Sequence, residues 1–160
     1  MTTQQNYYEL EQTAIAQKYK AYLTELDIRK LRLVVLTSYE KNSFAEQILR
    51  SLISENTQLA PANYCFVYVG AESEPSRPQE PLNPLTLREL VEGLDPQYII
   101  SLDLLAAQLL ATSYSVKINT NCLVYILGRR ALCFDKLEDM QQDEKLRPIC
   151  SKLVCSLINN

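Results

Sequence analysis

Short unbroken apolar runs alternate along this chain with longer blocks in which apolar residues recur every three or four positions. The runs "LRLVVLTS" (31–38), "NYCFVYVG" (63–70) and "QYIISL" (97–102) are rich in β-branched and aromatic residues, as strands buried on both faces are. "NCLVYILG" (121–128) and "RALCF" (130–134) add two more, either as a hairpin about Gly128 and Arg129 or as one strand ending there. Phe44, Ile48, Leu49, Leu52 and Ile53 mark a helix over about 43–55. Leu87, Leu90, Val91 and Leu94 mark a shorter one that Gly93 should end. "DLLAAQLLATSY" (103–114) is apolar around most of its circumference and reads as a buried helix with Asp103 as its N-cap. A last helical stripe runs from Leu146 to Ile158, with Pro148 tolerable only in its first turn. Such alternation predicts a three-layer α/β sandwich around a largely parallel sheet of four or five strands, with right-handed crossovers.

Polar residues sharpen the boundaries. Ser43 with Glu46, and Thr86 with Glu89, have capping-box spacing. The four prolines of "AESEPSRPQEPLNP" (71–84) predict a long surface loop. Asp135, Glu138, Asp139, Asp143 and Glu144 lack the alternating ligands and turn glycine of a calcium loop, so they read as a solvated loop face. Arg129 and Arg130 read as a solvent-facing turn, and Tyr64, Tyr68, Tyr98 and Tyr125 as core residues of strands.

Composition removes most catalytic chemistries. The 160 residues include no histidine, which excludes Ser-His-Asp and Cys-His nucleophile systems and histidine-ligated metals. Three glycines, Gly70, Gly93 and Gly128, cannot build a loop that cradles phosphate, and no cofactor is expected. The five cysteines lack paired spacing; Cys65, Cys122 and Cys133 read as small buried hydrophobes, and Cys150 and Cys155 stand too far apart for a zinc pair. No secretory pattern precedes the first strand and no apolar run approaches a membrane span, so a cytoplasmic location is expected. A net charge of −3 supplies no basic footprint, and direct DNA binding is not expected.

The segment ahead of the first strand needs its own account. "YYELEQTAIAQKYKAYL" (7–23) places Tyr8, Ile15, Tyr19, Tyr22 and Leu23 on a terminal helix, where chains usually fray. One account packs this helix on the chain's own sheet. The other docks it in a groove on another protein through Ile15 and Tyr19, four apart, with Tyr8, Leu10 and Tyr22 near the same stripe.

Two resemblances bear on the choice. "PLTLRELVEGLDPQYIISLDLLAAQLLAT" (84–112) resembles the segment beside the ligand pocket in uracil-DNA-glycosylase-like proteins. Where those enzymes carry a water-positioning Asp or Asn and a late His, this chain reads "LTSYEKNS" and "GRRALCFDKLED", so the resemblance implies the fold without the activity. "LEQTAIAQKY" (10–19), followed by "RLVVLT" (32–37), is similar to the psi subunits of bacterial DNA polymerase III. Their N-terminal peptide carries Leu-Gln-x-Leu-Gly-Ile-x-x-Trp ahead of an Arg-Leu-Val strand. Leu10 and Ile15 carry the pattern's own residues and Gln17 falls within it, whereas Thr13 stands for Leu, Ala14 for Gly and Lys18 where Trp is expected. The resemblance implies a docking helix over 1–27 that binds the tau or gamma subunits of the clamp loader through Tyr8, Leu10, Ile15, Gln17, Tyr19 and Tyr22. It also implies a glycosylase-like α/β domain over 28–160 that pairs with the chi subunit and so reaches single-strand-binding protein. Two rivals remain: an enzyme on this fold using Asp or Glu, and a nucleotide-binding domain with its ligand at the carboxyl ends of the strands.

Overall fold

The computed structural model describes residues 3–70 and 80–159. Along the chain the elements are α1 (Thr3–Lys18), β1 (Leu33–Thr37), α2 (Phe44–Asn56), β2 (Tyr64–Tyr68), α3 (Pro84–Leu94) and β3 (Tyr98–Ser101). They continue with α4 (Leu104–Tyr114), β4 (Leu123–Ile126), β5 (Arg129–Cys133), α5 (Leu137–Gln142) and α6 (Arg147–Asn159). The strands form one sheet in the order β2-β1-β3-β5-β4. All neighbours are parallel except β4, which runs antiparallel to β5. The fold is therefore α/β with a mixed, mostly parallel sheet.

Helices lie on both faces. Leu33 and Val35 of β1 enter a core shared with α2, α5 and α6, while Val34 and Leu36 enter a second core shared with α3 and α4. All five residues of β1 and of β2 are buried, which is why both strands read as unbroken apolar runs.

Several boundaries differ from the sequence expectation, each for a physical reason. The cap of α3 is Asn83, not Thr86. Asn83 Oδ1 accepts from Thr86 N at 2.9 Å, Thr86 Oγ1 accepts from Asn83 N at 2.8 Å, and Pro84 fills the first helical position, where no N–H is needed. The expected loop 71–84 thus ends in helix, and its stretch 71–79 lies outside the described residues. Gly93 does not end α3; Asp95, in the left-handed region at φ 49°, does. The acidic stretch contains α5, whose Leu137 and Met140 are buried. Leu127 (φ 47°) and Gly128 (φ 83°) form the turn between β4 and β5, so Arg129 is the first residue of β5. Arg129 is buried rather than solvent-facing, because its guanidinium reaches back to the end of α3. Tyr125 is 72 % exposed rather than core. Cys122 precedes β4 and is only half-buried, whereas burial pushes the Cys65 and Cys133 thiols up to about 12.

At the carboxyl end of the sheet, Asp103 joins β3 to α4. Its carboxylate caps α4 by accepting from Ala106 N at 3.0 Å. It also accepts from Thr37 Oγ1 at 3.1 Å, Ser38 N at 2.9 Å and Ser38 Oγ at 2.7 Å, all at the exit of β1. One buried side chain therefore ties two adjacent strand ends and a helix start. Asp103→Ala should lower stability by about 2–4 kcal/mol in chemical denaturation, the sum of a lost cap and unpaired hydroxyls. Asp103→Asn should recover part of this loss, since the amide oxygen still caps.

Candidate functional site

α1 lies across α3 with a stripe of residues spaced three or four apart. Tyr8 donates its hydroxyl to Asp95 Oδ2 at 2.6 Å. Gln12, one turn on and buried, donates from Nε2 to the carbonyl of Leu94 at 3.0 Å. That carbonyl sits in the last turn of α3, where backbone acceptors lack helical partners. Tyr19 is buried and donates to Glu89 Oε2 at 2.6 Å, and Lys18 Nζ meets Glu89 Oε1 at 2.8 Å. Ile15 packs between these polar pins, directly over Gly93. A Cβ on Gly93 would come within 2.4 Å of the Ile15 side chain, so the bare glycine sets how closely the two helices approach. Beyond the helix, Tyr22 donates to the carbonyl of Glu80 at 2.5 Å, and Thr24 N donates to Phe66 O at 3.1 Å along the outer edge of β2.

Under the amino end of this seat lies a charge network. Arg129 Nη1 meets Glu92 Oε1 at 2.7 Å, its Nη2 meets Asp95 Oδ1 at 2.8 Å, and its Nε donates to the carbonyl of Pro96 at 3.1 Å. Tyr114 of α4 donates to Glu92 Oε1 at 2.7 Å. An open cleft of about 700 Å³ adjoins the network, between Tyr8, Gln12, Arg29, Gln97 and Leu127. The hydrogen bond from Tyr8, helped by Arg129, holds the Asp95 carboxyl below the usual carboxylate range, although partial burial opposes it. Burial, then the bond to Asp95, pushes Tyr8 up to about 12, and burial with Glu89 does the same to Tyr19.

The six residues implicated by sequence thus divide between two faces. Tyr8, Ile15, Tyr19 and Tyr22 turn toward the chain's own body, whereas Leu10 turns away from it and Gln17 is exposed beside a cleft lined by Leu23 and Leu26. Leu10 does not share the stripe of Ile15 and Tyr19. Two residues from Tyr8, it falls on the opposite side of the helix. Its true neighbours at helical spacing are Tyr7, Ala14 and Gln17, all exposed, with Tyr7 and Leu10 each 65 % exposed. Gln12 and Gly93 were missed as seat residues, since a glutamine interrupts the apolar stripe and a glycine late in a helix reads as its stop. Arg129 reads from sequence as a solvent-facing turn, because its acidic partners lie more than thirty residues away in sequence.

No protein family matches the chain, and no curated protein shows significant similarity to it.

The seat yields two predictions. Gly93→Ala should wedge α1 off α3, raising amide exchange across α1 while the exchange of β1 and β3 amides stays slow. The second concerns pH. A tyrosine whose folded pKa is raised lends stability that is complete below about 10 and is lost as pH rises toward 12. The doubly substituted Tyr8→Phe, Tyr19→Phe chain should melt below the parent at neutral pH, with the gap closing above pH ~10. A gap that stays constant with pH would show that the two hydroxyl bonds do not hold the seat.

Proposed function

We propose that the chain is a non-catalytic adaptor of the DNA replication machinery, of the psi type. In this reading α1 docks on the tau or gamma subunits of the clamp loader, and the α/β body, assigned to the uracil-DNA-glycosylase-like fold, holds the chi subunit and through it single-strand-binding protein. The observation that carries it is the outer face of α1. Tyr7, Leu10, Ala14 and Gln17 form an exposed stripe on a helix that its own body already holds in place. Leu10 also carries the residue that the psi pattern specifies at its position. A helix fixed before binding loses less freedom on docking than a disordered peptide, so a modest stripe can bind usefully.

The site where an α/β enzyme would hold its ligand supports the same reading. The carboxyl ends of β1 and β3 are bridged by Asp103, whose two carboxylate oxygens together accept four hydrogen bonds from the chain itself. That carboxylate is committed to holding the fold. Among the described residues no helix is long and apolar enough to cross a membrane. The proposed role carries a cytoplasmic location with it.

Binding of the purified chain to the clamp-loader collar subunits tests the proposal. Tyr7→Ala and Leu10→Ala should each weaken binding by about 1–3 kcal/mol, roughly five- to two-hundred-fold, with the melting temperature unchanged. Ile15→Ala should lower the melting temperature first. Absence of binding by the parent chain, or binding indifferent to both outer-face changes, would remove the reading.

A further inference from the structure

The two edges of the sheet are treated differently. The outer edge of β2 is covered by the chain itself: Leu23 bridges Val67, and Thr24 both donates to Phe66 O and accepts from Phe66 N. Along the outer edge of β4, no backbone hydrogen bond or bridge to another segment occurs among the described residues. The strand reads Leu-Val-Tyr-Ile, with no charge and no proline, the devices that normally blunt an edge. In a two-residue hairpin the closing pair, here Ile126 and Arg129, exchanges both its backbone hydrogen bonds. Alternate residues then follow suit, so the N–H and C=O groups of Leu123 and Tyr125 point outward.

The side chains of the same two residues lie on the α6 face of the sheet, beyond the strand that α6 covers. Leu123 lies opposite Leu132, a member of the core beneath α6, and Tyr125 opposite Arg130. Both are exposed. On α6, Asn159 bonds the Asn56 carbonyl of α2 and the Cys155 sulfur, which fixes the flank turned to α2. Ile149, 45 % exposed, and Leu153 stand on the other flank, the one toward β4. The unpaired strand edge and this apolar flank of α6 thus lie on the same face of the sheet.

We propose that this edge is paired by a second copy of the chain, through antiparallel pairing of β4 with the partner's β4 about a two-fold axis. What pairs with it must supply a strand edge apolar on both faces, together with apolar cover above that strand. A second copy offers both in one movement, which is the self-complementarity a two-fold interface requires. A continuous sheet also restricts the register. Residues opposite one another must share a face, and pairing both free residues of β4 within the partner's β4 sets Leu123 against the partner's Tyr125 and Val124 against its own counterpart. Leu123 and Tyr125 are the residues whose backbone groups are free, so this register satisfies them. The two five-stranded sheets then join into one, with the α6 helices of both copies on the same face. This interface is separate from the outer face of α1 and independent of the adaptor reading.

Sedimentation equilibrium on the purified full-length chain, from micromolar to about 100 µM, tests the proposal. The parent should show about twice the chain mass of 18.3 kDa, and Tyr125→Lys, a change at an exposed edge position, should return it to a single chain mass. Circular dichroism of the variant should match the parent. Leu10→Lys, on the outer face of α1, should leave the dimer intact. A parent that stays monomeric throughout, a dimer that survives Tyr125→Lys, or one that Leu10→Lys dissolves would each overturn the proposal.

Discussion

The guanidinium of Arg129 has to be buried with its charge answered, and much of the molecule is arranged around that requirement. A buried cation without partners costs far more than a folded domain has to spare, so the carboxylates of Glu92 and Asp95 must stand where they do. Their placement fixes the end of α3 against the start of β5. Each carboxylate then serves a second element: Glu92 accepts from Tyr114 of α4, and Asp95 accepts from Tyr8 of α1. Four elements are thereby indexed to one another through one cation. Both carboxylates remain partly open to water, so the network contributes more to geometry than to net stability.

Much of the α/β layout was legible in the sequence, because parallel strands buried on both faces leave unbroken apolar runs. β1 and β2 show this directly. The Asp103 cap was legible for a similarly local reason, as the residue stands at the first position of its helical block. Long-range requirements left weaker traces. Gly93 is a spacer for Ile15, 78 positions earlier, and no local pattern distinguishes a spacer glycine from a stop. Tyr125 illustrates the opposite error: its alternation with Ile126 is that of a strand, but only the sheet order shows that the strand lies at an edge, where Tyr125 is exposed. The acidic stretch 135–144 concealed α5 because only Leu137 and Met140 of that short helix face inward.

The same distinction bears on α1. Sequence offered two accounts of this helix, a partner's groove or the chain's own body, and treated one apolar stripe as serving either. The helix in fact carries two stripes. The inner one is half polar, with Tyr8, Gln12 and Tyr19 anchored by hydrogen bonds, which made it look less like a packing face than it is. Specific polar bonds of this kind set the rotation of a helix more sharply than apolar contact alone, because a buried donor turned away from its acceptor is left unsatisfied. Fixing the rotation also fixes which residues face outward. The exposure of Tyr7 and Leu10 is therefore a consequence of how Gln12 and Tyr19 are held, and the inner face determines what the outer face can present.

Edge management follows from the same chain segment. After α1 the backbone turns through Tyr22 and runs beside β2, where Thr24 pairs with Phe66 in both directions. One terminal segment therefore seats on α3 and shields one side of the sheet. Among the described residues β4 has no such neighbour, because the hairpin that creates it spends its partner, β5, on the inner side. A row of backbone groups with no protein partner among the described residues, beside exposed Leu123 and Tyr125, is a template for pairing with another chain. The asymmetry between the two edges thus points outward from β4, just as the anchoring of α1 points outward through Leu10.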